Sequence, residues 1–144
     1  TFIPYIKEKD NNTKFDKKTT YPVIDLMESQ RAIKRKGGTM RLGAYDCQIE
    51  MGTKSFSAYR KKQISERHRH RWEVNNRYRD RLEKNGLKIS GINKELNLVE
   101  IIELPNHPWY VAGQFHPELK SRVSKAHPLF REFIKASVKH LNGK

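Results

Sequence analysis

An apolar run from Trp109 to Phe115 ends in Gln114-Phe115-His116-Pro117-Glu118, so a strand of this fold carries an imidazole at its mouth and a carboxylate two residues further on. A carboxylate at that spacing can accept the Nδ1 proton of His116, fix the ring's tautomer and leave Nε2 bare to take a proton from a nucleophile. That is half of a nucleophilic triad. The other half has no candidate, because the one cysteine, Cys47, lies in the alternating run Ala44-Tyr45-Asp46-Cys47-Gln48-Ile49-Glu50 with no glycine-rich elbow around it. Cys47 reads as a small buried hydrophobe. On the residues alone, His-x-Glu at a strand end is also an ordinary surface pair.

Turn residues and hydrophobic period outline the rest. Gly37-Gly38 breaks the chain before a strand over Met40 to Ile49. Ser55 to Arg60 reads as a helical turn or two with Phe56 and Tyr59 on one side, and Glu66 to Val74 as extended or irregular. Asn75-Asn76 cap a helix over Arg77 to Asn85, in which Tyr78 and Leu82 share a face and which Gly86 stops. Leu87 to Ile92 and Leu98 to Leu104 form a hairpin around Asn93 to Asn97, and Pro105 to Pro108 turns the chain into Trp109 to Phe115. A last helix, Pro128 to Leu141, carries Leu129, Phe133, Ala136 and Leu141 at helical spacing, with Phe130, Ile134 and Val138 widening the stripe. Residues 1–20 are the least patterned, and the polar stretch Lys7 to Thr20 predicts a mobile loop. Periodicity alone describes an α+β fold.

A chain of 144 residues is about one domain. It has no apolar run near the ~20 residues that cross a bilayer and no signal-peptide pattern, so a cytoplasmic protein with no membrane partner is expected. A single cysteine excludes an internal disulfide and agrees with a reducing compartment. The excess of 30 Lys and Arg over 16 Asp and Glu raises nucleic acid as a partner. The basic residues are nevertheless scattered from Lys7 to Lys144 and are not interleaved with regularly spaced aromatics, so no nucleic-acid partner is expected and a basic binding domain stays the lesser alternative.

Arg67, Arg69 and Arg71 alternate with His68 and His70, so an extended chain sets the three guanidinium groups on one side. Arginine can clamp a carboxylate with two parallel hydrogen bonds. The alternative is a solvated basic strand paired with Glu66 and Glu73. His68-x-His70 suits two metal ligands, but no neighbouring cluster completes a coordination shell and no metal is expected.

Gly37-Gly38-Thr39-Met40-Arg41-Leu42-Gly43, the run Ile64 to Asn76, Leu98 to Glu103 and Gln114 to Glu118 occur in one order that resembles the glutaminase domain of the CTP synthases, triad-type (class I) glutamine amidotransferases, over about Tyr21 to Ala136. The resemblance implies an α/β fold: a flavodoxin-like open sheet with helices on both faces and an added antiparallel portion, its active site outside the carboxyl ends of the parallel strands. It implies that His116 is the catalytic base, Glu118 its orienting carboxylate and Arg71 the residue that holds the α-carboxylate of L-glutamine. Cys47 matches a family cysteine that is not the nucleophile. Ammonia would pass to an amidoligase (synthase) domain of the same protein, absent here, which uses ATP and Mg to aminate UTP to CTP. GTP as activator and a homotetramer of the full enzyme are further implications, with no cofactor in this domain itself.

There are two departures. In the family an Ile-Pro-Tyr-like strand enters a Gly-x-Cys-x-Gly elbow and a helix before an Asn-Ser-Thr-Glu-Phe-like segment, whereas here Tyr5 is followed almost at once by Asn12-Thr13-Lys14-Phe15. The elbow is missing between Tyr5 and Asn12, or belongs to the molecule outside these residues. Lys14 stands where the family places the carboxylate that holds the glutamine amino group, and an ammonium there repels an ammonium. Two readings remain open: a glutaminase domain, and a catalytically inactive amidotransferase-like binding or regulatory module.

Overall fold

The computed structural model describes residues 14, 17–26 and 40–143. The segment from Tyr5 to Asn12, where the elbow is expected to be missing, lies outside them, as does most of the stretch 1–20.

The strands are β1 (Ile24–Leu26), β2 (Arg41–Ile49), β3 (Gln63–His70), β4 (Trp72–Val74), β5 (Lys88–Asn93), β6 (Leu98–Glu103) and β7 (Val111–Gly113). The helices are α1 (Lys54–Tyr59), α2 (Arg79–Lys84) and α3 (Pro128–Asn142), with 3-10 turns at Asn76–Tyr78 and Pro117–Lys120. β1 pairs with β4, and the main sheet runs in the order β3-β2-β5-β6-β7. Every pairing is antiparallel. The described residues therefore form the antiparallel portion that the resemblance implies, and no parallel pair is among them. Between β5 and β6 the reason is local: the turn over residues 94–97 reverses the chain at once, and a parallel pair needs a crossover of a dozen residues or more.

The period of two sets which residues point inward. Along β2, Arg41, Cys47 and Ile49 are buried while Leu42, Ala44, Asp46 and Gln48 are exposed. Along β3, Ile64, Glu66 and His68 are buried while Arg67 and Arg69 face solvent. One inner face thus carries apolar groups at one end and Arg41, Glu66 and His68 at the other. Cys47, Ile49, Ala58, Ile64, Ile101, Phe115 and Leu129 form one core cluster; Val23, Val74, Leu82, Leu87, Ile89 and Val99 form a second. Gly91 sits where chain meets chain, since a Cβ there would lie 2.7 Å from Ile101 Cγ1 and 2.8 Å from Cys47 Sγ.

Helix α1 is short and is held by its ends. Thr53 Oγ1 accepts the Phe56 N–H at 3.0 Å. The buried Glu103 carboxylate accepts the N–H groups of Lys54 at 2.9 Å and Ser55 at 3.0 Å, at the end of the helix where such donors lack partners. The helix expected over Arg77 to Asn85 divides into the 3-10 turn, capped by Asn75, and α2, and the chain leaves α2 through Gly86 at φ +89. On α3 only Leu129 is buried, while Phe130, Phe133, Ile134, Val138 and Leu141 are 40–73% exposed. The apolar stripe has the expected spacing, but among the described residues no second layer covers it. No described helix is long and apolar enough to cross a membrane.

Candidate active site

β7 is shorter than the run that predicts it. Past Gly113 the chain leaves the ladder: the Gln114 N–H donates to the Glu100 carbonyl at 2.9 Å, Phe115 drops into the first core cluster, and the His116 N–H donates to the Arg67 carbonyl at 2.8 Å. Pro117 then opens the 3-10 turn. These contacts hold His116 against β3. Its Nδ1 lies 2.6 Å from Glu118 Oε1, the hydrogen bond expected from the spacing. The carboxylate can only accept, so the ring donates from Nδ1 and Nε2 is left bare. Hydrogen bonding to His116 holds the Glu118 carboxyl below the usual carboxylate range. The pair is accessible, with side chains 39% and 57% exposed. A hollow of about 330 Å³ at the ends of β2 and β5, lined by Gln48, Ile49, Met51, Ile92 and Lys94 among others, does not include the pair.

Beneath it lies a buried polar cluster. The Arg41 guanidinium bonds Glu100 Oε1 through Nη2, and its Nη1 is 3.5 Å from Glu73 Oε1. His68 Nε2 faces Glu100 Oε2 at 3.4 Å, and His68 Nδ1 is 2.8 Å from His70 Nε2. His70 Nδ1 is in turn 3.2 Å from the Trp72 carbonyl and 3.4 Å from Glu73 Oε1. Burial, followed by the Arg41 charge, pushes His68 down to about 3 and His70 to about 4. Burial raises Glu73 to about 7 and raises Glu100 as well, both against the opposing pull of Arg41. Two neutral imidazoles and two reluctant carboxylates therefore surround one cation.

A second knot ties α3 to the same strand. Glu66 Oε1 accepts from Tyr59 OH at 3.1 Å and from His127 Nε2 at 3.2 Å. His127 Nδ1 accepts the Leu129 N–H at 3.3 Å, which caps α3 and fixes the His127 proton on Nε2. Lys120, at the end of the turn that carries Glu118, reaches Glu66 Oε2 at 3.5 Å.

The structure brings His116 and Glu118 together and places Arg71 in the bend between β3 and β4, half-buried. Arg71 does not continue the outward row of Arg67 and Arg69, because β3 ends at His70. Glu66 and Glu73, which the alternative reading pairs with that row, point inward to His127 and Arg41. His68 and His70 bond each other, and among the described residues no group of three or more His, Cys, Asp or Glu is placed to hold a metal ion. Cys47 is buried, its thiol pushed up to about 12 by burial and the nearby carboxylates Glu100 and Glu66. Lys14 lies with its Nζ 5.7 Å from the centre of the Trp72 ring, beside Arg71 in sequence. Glu100 is the residue that sequence reasoning passed over. Its signal was a carboxylate inside the apolar run Leu98 to Ile102, where a buried charge requires a partner.

Comparison with known proteins gives a consistent picture. The family model described as glutamine amidotransferase class-I matches residues 14–136. The chain is 60% identical over 127 residues to a CTP synthase of Methanosphaera stadtmanae, covering 88% of this chain and 24% of that protein. It is 56% identical over 131 residues to a CTP synthase of Trichlorobacter lovleyi, covering 91% of this chain and 24% of that protein. Among solved structures it is similar to the glutaminase domain of Trypanosoma brucei CTPS with bound acivicin, with a TM-score of 0.81 and 34% identity, over 90% of this chain and 50% of that one. The chain spans about a quarter of the length of the curated relatives it matches.

Proposed function

The chain belongs to the glutamine amidotransferase class-I family and has its α/β fold, and from that premise we propose that it is the glutaminase part of a CTP synthase, releasing ammonia from L-glutamine for the amination of UTP to CTP. The observation that carries this reading is the 2.6 Å bond between His116 Nδ1 and Glu118, which leaves Nε2 bare at the surface of the fold. There Nε2 accepts the proton of a cysteine thiol as the thiolate attacks the glutamine amide carbon, and returns it to the departing ammonia. Glu118 holds the ring in the tautomer this requires and stabilises the imidazolium. Arg71 clamps the glutamine α-carboxylate with two parallel hydrogen bonds.

Cys47 cannot be that thiol, since it is buried, held protonated and packed against Gly91. The 144 residues therefore hold base and carboxylate without a nucleophile and should be inactive alone. In the whole protein we place an amidoligase domain that uses ATP and Mg, activation by GTP, a cytoplasmic homotetramer, and a flavodoxin-like parallel sheet completing this antiparallel portion.

Two assays test the reading. In the whole protein, His116→Ala should abolish CTP formation from glutamine and spare formation from free ammonia, which bypasses the triad. Loss of both would refute the role given to His116. On the 144-residue chain, ammonia release from glutamine that disappears with His116→Ala would reveal a nucleophile other than the one argued here.

A further inference from the structure

The buried cluster contains a hydrogen-bond chain whose direction can be read from its ends. The Trp72 carbonyl accepts only, so the proton of His70 is on Nδ1, 3.2 Å away, and His70 Nε2 is bare. His68 Nδ1, 2.8 Å from that bare nitrogen, must then donate, which leaves His68 Nε2 bare as well. It faces Glu100 Oε2 at 3.4 Å, with both side chains fully buried and neither atom in a hydrogen bond with any group in the structure. Two bare acceptors do not face each other without a proton between them. Glu100 Oε1 is occupied by Arg41, so the proton is on Glu100 Oε2 or on His68 Nε2. Around His68 stand Arg41 and Tyr45 from β2, His70 from β3, Glu73 from β4, Glu100 from β6, and Phe115 and His116 beyond β7. Burial and Arg41 both oppose an imidazolium there, and burial favours the neutral acid of Glu100.

We propose that Glu100, as a neutral donor, His68 and His70 form a one-way relay that ends on the Trp72 carbonyl and positions Arg71 for the substrate carboxylate. Arg71 lies in a bend outside both strands, so the backbone on its C-terminal side is held by the relay and by the pairing of Trp72 with Leu26. A two-pronged clamp tolerates little rotation, and these three residues supply that rigidity without touching the substrate. The inference rests on Arg71 as the glutamine clamp.

The test separates the two ideas. Side-chain 15N NMR of this chain at neutral pH should show His68 and His70 neutral with the proton on Nδ1. Either ring protonated on Nε2, or His68 doubly protonated, overturns the relay and leaves the glutamine reading standing. Glutamine binding, followed at the Arg71 side-chain resonance, should weaken about tenfold in Glu100→Leu, which removes the donor to His68 together with the acceptor of Arg41. It should stay within about twofold of the parent in Glu100→Gln, whose amide donates to His68 and accepts from Arg41. Likewise His70→Asn, which keeps a donor near the Nδ1 position, should bind where His70→Phe does not. Equal loss in Glu100→Gln and Glu100→Leu, with both folded, overturns the neutral donor. A chain with both rings as described that does not respond to glutamine sinks the glutamine reading and the positioning role with it.

Discussion

The same two side-chain types, imidazole and carboxylate, are set in opposite environments a few ångströms apart. His116 and Glu118 are half-exposed, two residues apart, and joined by one short bond. His68, Glu73 and Glu100 are buried and His70 half-buried around Arg41, the five residues brought together from four strands. Solvent reaches the first pair, so a reacting group can approach the ring, which proton transfer requires. At the second, burial removes that access, and the cost of burying charge leaves a fixed set of donors and acceptors.

If that division holds, function and stability should separate by site. His116→Ala in the whole protein is expected to lower glutamine-dependent turnover at least about a thousandfold, as loss of a triad member does. Its effect on the chain's unfolding free energy should stay under about 0.5 kcal/mol, because the ring fills no core space. Urea unfolding of the two chains checks the second half. A cost of several kcal/mol would mean that the dyad is structural too.

Arg41→Leu is the mirror experiment. Removing the one cation leaves the Glu73 and Glu100 carboxyl groups in the interior without their donor, and breaking such a network costs about 3–5 kcal/mol. The destabilisation should ease when Glu100→Leu is added, since the second change removes one of the stranded groups. A variant within 1 kcal/mol of the parent (on the order of an exposed substitution) would place Arg41 in water and dissolve the contrast.

Acid titration sharpens the contrast further. His68 at about 3 and His70 at about 4 in the fold, against 6.5 unfolded, mean that the unfolded chain binds two more protons below 6.5. Their stability is fully present above 6.5 and is lost as pH falls. Glu73, at about 7 against 4.5, has the opposite sign, its contribution present below 4.5 and lost as pH rises towards 7, and Glu100 is raised in the same direction. Between 4.5 and 6.5 Glu73 and Glu100 oppose the two histidines, so stability should change less steeply there than the histidines alone would make it. Below 4.5 it should fall, joined by the lowered carboxyls Glu66 and Glu118. Glu100→Gln removes the opposing contribution of Glu100 and should make the loss of stability towards acid steeper between 4.5 and 6.5. Thermal melts across that range check it, and an unchanged profile would mean that Glu100 is ionised in the fold.

The contrast also explains what the sequence disclosed. The dyad was legible because its partners are neighbours, and β2, the β5–β6 hairpin and α3 were legible because period and turn residues act locally. β7 was over-read: Phe115 is apolar because it enters the core beyond the ladder. The buried cluster was illegible because Arg41 and Glu100 meet across 59 residues of chain, and a carboxylate inside the run Leu98 to Ile102 does not say which distant cation it meets. For the same reason the sequence offers Glu66 and Glu73 the nearby arginines as one alternative, while their partners come from distant elements.

The smallest expected effect lies where the two regions meet. Lys14 rests over Trp72, whose carbonyl ends the relay, and it is exposed. If it occupies the place of the carboxylate that holds the glutamine amino group, it opposes that group with a like charge, and Lys14→Glu should improve glutamine affinity. The lost contact with the ring costs about 0.5–1 kcal/mol at an exposed site, and the gained attraction is of the same size, so the gain should be a few-fold and stability should fall slightly. The control is an analogue without the α-amino group: Lys14→Glu should improve binding of glutamine and leave glutaramate unchanged or weaker, because the new carboxylate has no ammonium to meet. Equal improvement for both ligands would place Lys14 outside the amino-group site and show that the charge acts on Arg71 through the bend instead.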